Sequence, residues 1–96
     1  MTTFLDPRQR DAVLLLGAFH SMPHAQFSLG LMVYTDDADE LIAALHARRW
    51  VKRQPATKHQ RERYGQDVAL ALTPAGRMAW KRLLNEGRKT RQRRAA

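Results

Sequence analysis

Lys52, Arg53, Lys58, His59, Arg61 and Arg63 crowd into the positions 52–63, in a polar stretch marked by Pro55 and closed by Gly65. Cationic side chains packed this densely cannot be buried together, so the segment must project into water or lie on a polyanion. On duplex nucleic acid they would neutralise phosphates and release condensed counterions, or reach into a minor groove. His46, Arg48 and Arg49 stand just upstream and extend the same chemistry. The plainer reading is a solvated loop kept soluble by its charge. Tyr64, beside Gly65, suits either a sugar-stacking role or the simpler job of closing a hairpin.

Other chemistries find little support. His20 and His24 have the four-residue spacing of a metal pair, but Pro23 between them breaks the helix that would aim both rings together. Gly30 and Gly65 are isolated, so no phosphate-cradling glycine loop is present, and Ser21 and Ser28 have no nucleophile context. The absence of cysteine removes disulfides and thiolate metal sites. Asp36, Asp37, Asp39 and Glu40 are better explained by a helix start than by a divalent metal. No enzyme, cofactor or metal site is expected.

Seventeen Lys and Arg against nine Asp and Glu give the 96-residue chain a net charge of +8. Its distribution is more informative than its sum. Residues 1–47 hold two basic and six acidic side chains, net −4; residues 48–66 hold seven and one, net +6; residues 77–96 hold eight and one, net +7. Both basic blocks lie in the second half, which favours nucleic acid or another anionic surface as partner. The longest apolar run, Ala12 to Phe19, is too short to span a bilayer. A single, cytoplasmic domain with no membrane association is the expectation.

The elements that would position the basic block follow from periodicity and caps. Asp6-Pro7 fits an N-cap and first helical residue, and Ala12, Leu15, Leu16 and Phe19 recur at helical spacing, flanked by Val13 and His20. That helix should stop by Met22, ahead of Pro23. A short second helix is expected within 23–33, and a third from about Asp36 to Arg48, with Asp37 and Glu40 paired in its first turn. Its buried stripe would be Leu41, Ile42 and Leu45, with Ala38 and Ala44 as small packing residues. Trp50-Val51-Lys52-Arg53 reads as a strand, and Val68, Leu70 and Leu72 alternate with Ala69 and Ala71 in a second. Thr73-Pro74 opens a last helix, expected to end near Gly87; residues 1–87 would form the domain and 88–96 a basic, disordered tail that includes Arg88, Lys89, Arg91, Arg93 and Arg94. The fold class is mainly α with a two-stranded β-wing.

Residues 45–53, LHARRWVKR, followed by residues 68–77, VALALTPAGR, resemble the run from recognition helix through wing to the next helix in MarR-like and PadR-like transcriptional regulators. Those families often show a leucine, a glycine, a hydrophobic pair and an arginine before the wing, then L-T-x-x-G-R after it. The resemblance covers roughly residues 35–84 and implies a winged helix-turn-helix that binds double-stranded DNA as a repressor, through Lys52, Arg53, Lys58, His59, Arg61 and Arg63 with His46, Arg48 and Arg49. It also implies a homodimer paired through terminal segments, for which Phe4, Leu5, Trp80 and Leu84 are the apolar residues to hand. Two departures stand out. Arg49 occupies the usual glycine position, and the helix that would read the major groove begins with Asp36, Asp37, Asp39 and Glu40, which repel phosphate. Two alternatives therefore stay open: a winged-helix protein-interaction module, such as a phage or plasmid accessory factor, docking through that acidic turn, or a replication or partition protein that coats DNA.

Overall fold

The computed structural model describes residues 5–95, with side chains through residue 87. Its elements run α1 (Pro7–Ala18), β1 (Met22–Pro23), α2 (His24–Leu31), α3 (Thr35–Ala47), β2 (Val51–Pro55), α4 (Lys58–Tyr64), β3 (Val68–Leu72) and α5 (Pro74–Ala95). The small sheet is antiparallel in the order β1-β3-β2, with Val51 opposite Leu72 and Pro55 opposite Val68. Helices dominate and the sheet forms one flank, the mainly α winged helix-turn-helix expected of the sequence.

α1 begins as its cap predicts: the Asp6 carboxylate accepts from the Arg8 N–H at 2.9 Å, and Pro7 occupies the first turn, where its missing donor costs nothing. Two sides of α1 are in use. Leu15 lies against Gly30 of α2, while Trp80 of α5 lies so close to Gly17 that a Cβ there would come within 2.2 Å of the indole. Ala12, Val13 and Leu16 fill the space between, with Met22, Phe27, Ala38, Leu41, Ile42, Leu45, Val51, Leu70, Leu72 and Leu83 completing one core. Phe19 is not part of it. The helix stops at Ala18, and Phe19 follows in extended geometry with its ring half exposed.

Several expectations need correcting. β2 and β3 pair as the expected two-stranded wing, but their connection is not a long open loop and a further strand joins them. Met22 and Pro23 pair with Leu70 and Ala69 as a third, edge strand, where proline's missing N–H is tolerated. The connection between β2 and β3 winds into α4, which is held by a capping box: Thr57 Oγ1 accepts from the Gln60 N–H at 3.1 Å, and Gln60 Oε1 accepts from the Thr57 N–H at 2.9 Å. Gly65, with φ of 66°, closes that helix in the left-handed conformation that suits glycine. α3 keeps the expected bounds to within a residue, but its N-cap is Tyr34, which makes no side-chain bond, so Asp37 and Glu40 do not form the anticipated box. α5 runs past Gly87 to Ala95.

Candidate nucleic-acid interface

α3 buries Ala38, Leu41, Ile42 and Leu45 against the body, which leaves Asp36, Asp39, Glu40, Ala43, His46 and Ala47 on its open side. Asp39, Ala43 and His46 recur at helical spacing and face the sheet across a groove of about 1010 Å³. Arg53, Val68 and Leu70 form the opposite wall, with Gln66 and Asp67 at one end. The groove is thus floored by small and apolar side chains and edged by His46 and Arg53. His24, at the start of α2, makes a 2.7 Å contact with the Asp39 carboxylate at its rim.

The basic side chains expected to act together are spread over several surfaces. On β2, successive residues point to opposite sides, so Arg53 shares the groove with Leu70, its cross-strand partner, while the exposed Lys52 faces away from it. On α4, His59 and Arg63 lie one turn apart and line a second, smaller hollow of about 360 Å³ with Phe19, Ser21, Gln26 and Tyr64. Arg63 also rests over the Tyr64 ring at 5.9 Å. Lys58 and Arg61 share another face with Glu62, and the Arg61 guanidinium donates to the Ala56 carbonyl at 3.0 Å, so part of its hydrogen-bonding capacity serves the fold. Arg48 is half buried over Trp50 at 5.0 Å, and Arg49 is exposed in left-handed geometry, φ 60°.

Among the described residues no hydrogen bond or ion pair joins the connection to Asp36, Asp37, Asp39 or Glu40. The connection is tied instead to the α1–α2 corner by two glutamines that carry no charge. Gln60 Nε2 donates to the Ser21 carbonyl and hydroxyl, both at 3.0 Å, and Gln66 Oε1 accepts from the Ala25 N–H at 2.9 Å. Lys58, His59, Arg61 and Arg63 remain exposed outside that attachment. Sequence reasoning overlooked this clamp. The T-x-x-Q spacing of Thr57 and Gln60, followed by Gly65, carried the signal for its helix.

The residues considered for pairing sit in different settings. Leu5 and Trp80 pack on the core of their own chain, Leu84 stays exposed, and Phe4 lies outside the described residues. Among the described residues no three His, Asp or Glu side chains gather as a metal site, and no helix is long and apolar enough to cross a membrane.

A helix pair in which α3 leads into a β-bordered, helix-containing wing defines a winged helix. No protein-family model matches the sequence, and no curated protein is similar to it. Solved structures do match. A mutant of Lactococcus lactis ZitR superposes with a TM-score of 0.80 at 18% identity over 97% of this chain and 60% of that one. The MarR family transcriptional regulator SPO1453 from Silicibacter pomeroyi gives 0.72 at 17% identity over 93% and 59%. A mutant of S. aureus MepR gives 0.81 at 13% identity over 95% and 64%. The chain therefore has the winged-helix fold of MarR-family regulators and spans about three-fifths of the length of these neighbours.

Proposed function

We propose that the protein is a double-stranded DNA-binding transcriptional regulator, a cytoplasmic repressor acting by operator occupancy, whose affinity comes mainly from the wing. The observation that carries this reading is the exposure of Lys58, His59, Arg61 and Arg63 on a short capped helix, beside a groove edged by Arg53 and His46, in a winged-helix frame. Arg49 adds charge at the turn behind α3. The short side chains Ala43 and Ala47 would let α3 approach base edges closely, and an alanine methyl can contact the methyl of thymine. The acidic first turn would stay clear of phosphate, with sequence-independent attraction coming from the wing and from the basic end of the chain.

Nothing in this role requires a catalytic group, cofactor or metal. A homodimer paired through chain termini, with Leu84 available on α5, would double the phosphate contacts and match a palindromic site. The experiment is a titration of duplex DNA over a range of salt. With Arg49, Arg53, Lys58, Arg61 and Arg63 on phosphates, log affinity falls against log salt with a slope of roughly −4 to −5. The Arg61→Ala, Arg63→Ala double variant weakens binding to all sequences alike. A salt-independent or absent interaction would defeat the proposal. Selection of bound fragments from random duplex DNA would then separate a discrete operator from indiscriminate coating.

A further inference from the structure

The turn between α2 and α3 exposes more apolar surface than a solvated corner explains. Leu29 is 72% exposed, Met32 91% and Tyr34 85%, all within six consecutive positions. Met32 is also held in left-handed geometry, φ 56°, by a turn in which its N–H donates to Leu29 and the N–H of Val33 to Ser28. That conformation fixes the unbranched side chain outward at some cost in backbone strain. Directly after it come Asp36, Asp37 and Glu40, with no Lys or Arg between residues 29 and 40. The result is an apolar centre with a negative edge, a surface that a phosphate backbone would avoid.

A surface of the opposite kind lies on α5. Met78 is 59% exposed, and Lys81 and Arg82 share its helical face, with Arg77 alongside. Here the apolar centre has a positive edge. The two surfaces cannot meet within one chain, because α1 stands between them: Leu15 packs on Gly30 of α2, and Gly17, about 200° further round the same helix, packs on Trp80 of α5. Only another copy can bring them together.

We infer that the α2–α3 turn of one copy docks on the outer face of α5 of a second copy, Met32 and Tyr34 meeting Met78 while Asp36, Asp37 and Glu40 meet Arg77, Lys81 and Arg82. The contact joins two different surfaces, so it is head-to-tail and leaves one free end of each kind. It uses the first turns of α5 and leaves Leu84 free for two-fold pairing. It does not depend on the DNA-binding reading and can fail or hold without it.

The test is sedimentation velocity on the full chain without DNA, over roughly 10 to 500 µM, where contacts of modest area register. Wild type should grow beyond any two-fold dimer as concentration rises. Met32→Asp and Met78→Asp, both at exposed positions and checked for native circular dichroism, should each weaken that growth by at least about tenfold. Mixing the two variants should restore the contact, one per Met32→Asp and Met78→Asp pair, since the intact turn of Met78→Asp fits the intact α5 of Met32→Asp. Wild type that stays at monomer or dimer overturns the inference. So do variants that associate like wild type, or a mixture that fails to recover the contact, which would indicate a symmetric interface or a different partner for the turn.

Discussion

The Thr73 hydroxyl donates to the Arg49 carbonyl at 2.6 Å, joining the cap of the last helix to the turn that ends α3. The Thr73 N–H donates to the Trp50 carbonyl at 2.9 Å, and Thr73 Oγ1 accepts from the Gly76 N–H at 3.1 Å. One threonine thus caps α5 and pins it to the root of the wing. Gly76 is part of the same arrangement, because a Cβ on it would lie 2.2 Å from the Trp50 carbonyl oxygen. The L-T-x-x-G pattern is accounted for by this clamp: a hydroxyl to bind two backbone groups, and a glycine to let the helix approach a strand.

Gly76→Ala should therefore destabilise the domain by about 1–3 kcal/mol, the range for forcing a methyl into a filled site. The clashing atom belongs to the backbone, so it cannot rotate aside. Urea unfolding would measure the loss, and Gly87→Ala is the control, since nothing lies within 4 Å of a Cβ there. An unchanged midpoint for Gly76→Ala would mean that the close approach does not persist in solution.

Arg49→Gly is expected to act in the other direction. Arg49 holds φ 60°, which costs a residue with a side chain about 1–2 kcal/mol, whereas glycine adopts it freely and loses about 0.5–1 kcal/mol in chain entropy. A net gain of about 0.5 kcal/mol or slightly more follows, visible as a raised unfolding midpoint. Arg49→Ala should show no such gain. Equal stability of both variants would show that the turn relaxes out of left-handed geometry.

Gln60→Ala removes the reciprocal half of the Thr57 capping box and both bonds to Ser21. Loss of a capping interaction typically costs about 1 kcal/mol. The effect should be local, because α4 buries no residue in the core. Amide hydrogen exchange in 58–64 should accelerate well before the global midpoint moves. Protection that stays at the wild-type level would show that the wing is held by something other than this side chain.

The sequence made the main body legible because its signals were local and mutually consistent. Asp6-Pro7 and Thr73-Pro74 start helices as expected, Leu41, Ile42 and Leu45 face the core, and Val51 pairs with Leu72 at the root of the wing. What stayed hidden depended on tertiary contact or weak local preference. Met22-Pro23 becomes a strand only because Ala69 and Leu70 offer an edge. α4 was obscured by its charge, although Thr57, Gln60 and Gly65 marked its ends. The sharing-out of basic side chains among different faces could not be read from spacing, since it depends on the β2 pleat and the orientation of α4 together. The exposure of Leu29, Met32 and Tyr34 likewise emerged only once the turn was built.

That sharing-out gives the sharpest electrostatic prediction. Arg53 lines the groove between α3 and the sheet, whereas the adjacent Lys52 points to the opposite side of β2. A duplex lying along α3 would bring a phosphate to Arg53 and leave Lys52 in solvent. Arg53→Ala should then reduce the magnitude of the salt slope by about 0.9, the value of one phosphate contact on duplex DNA, while Lys52→Ala should leave it nearly unchanged. Both residues are exposed, so differences in stability should not confuse the comparison. Equal losses from the two would place the duplex around the edge of the wing rather than in the groove, and a larger loss from Lys52→Ala would put it on the far face of the sheet.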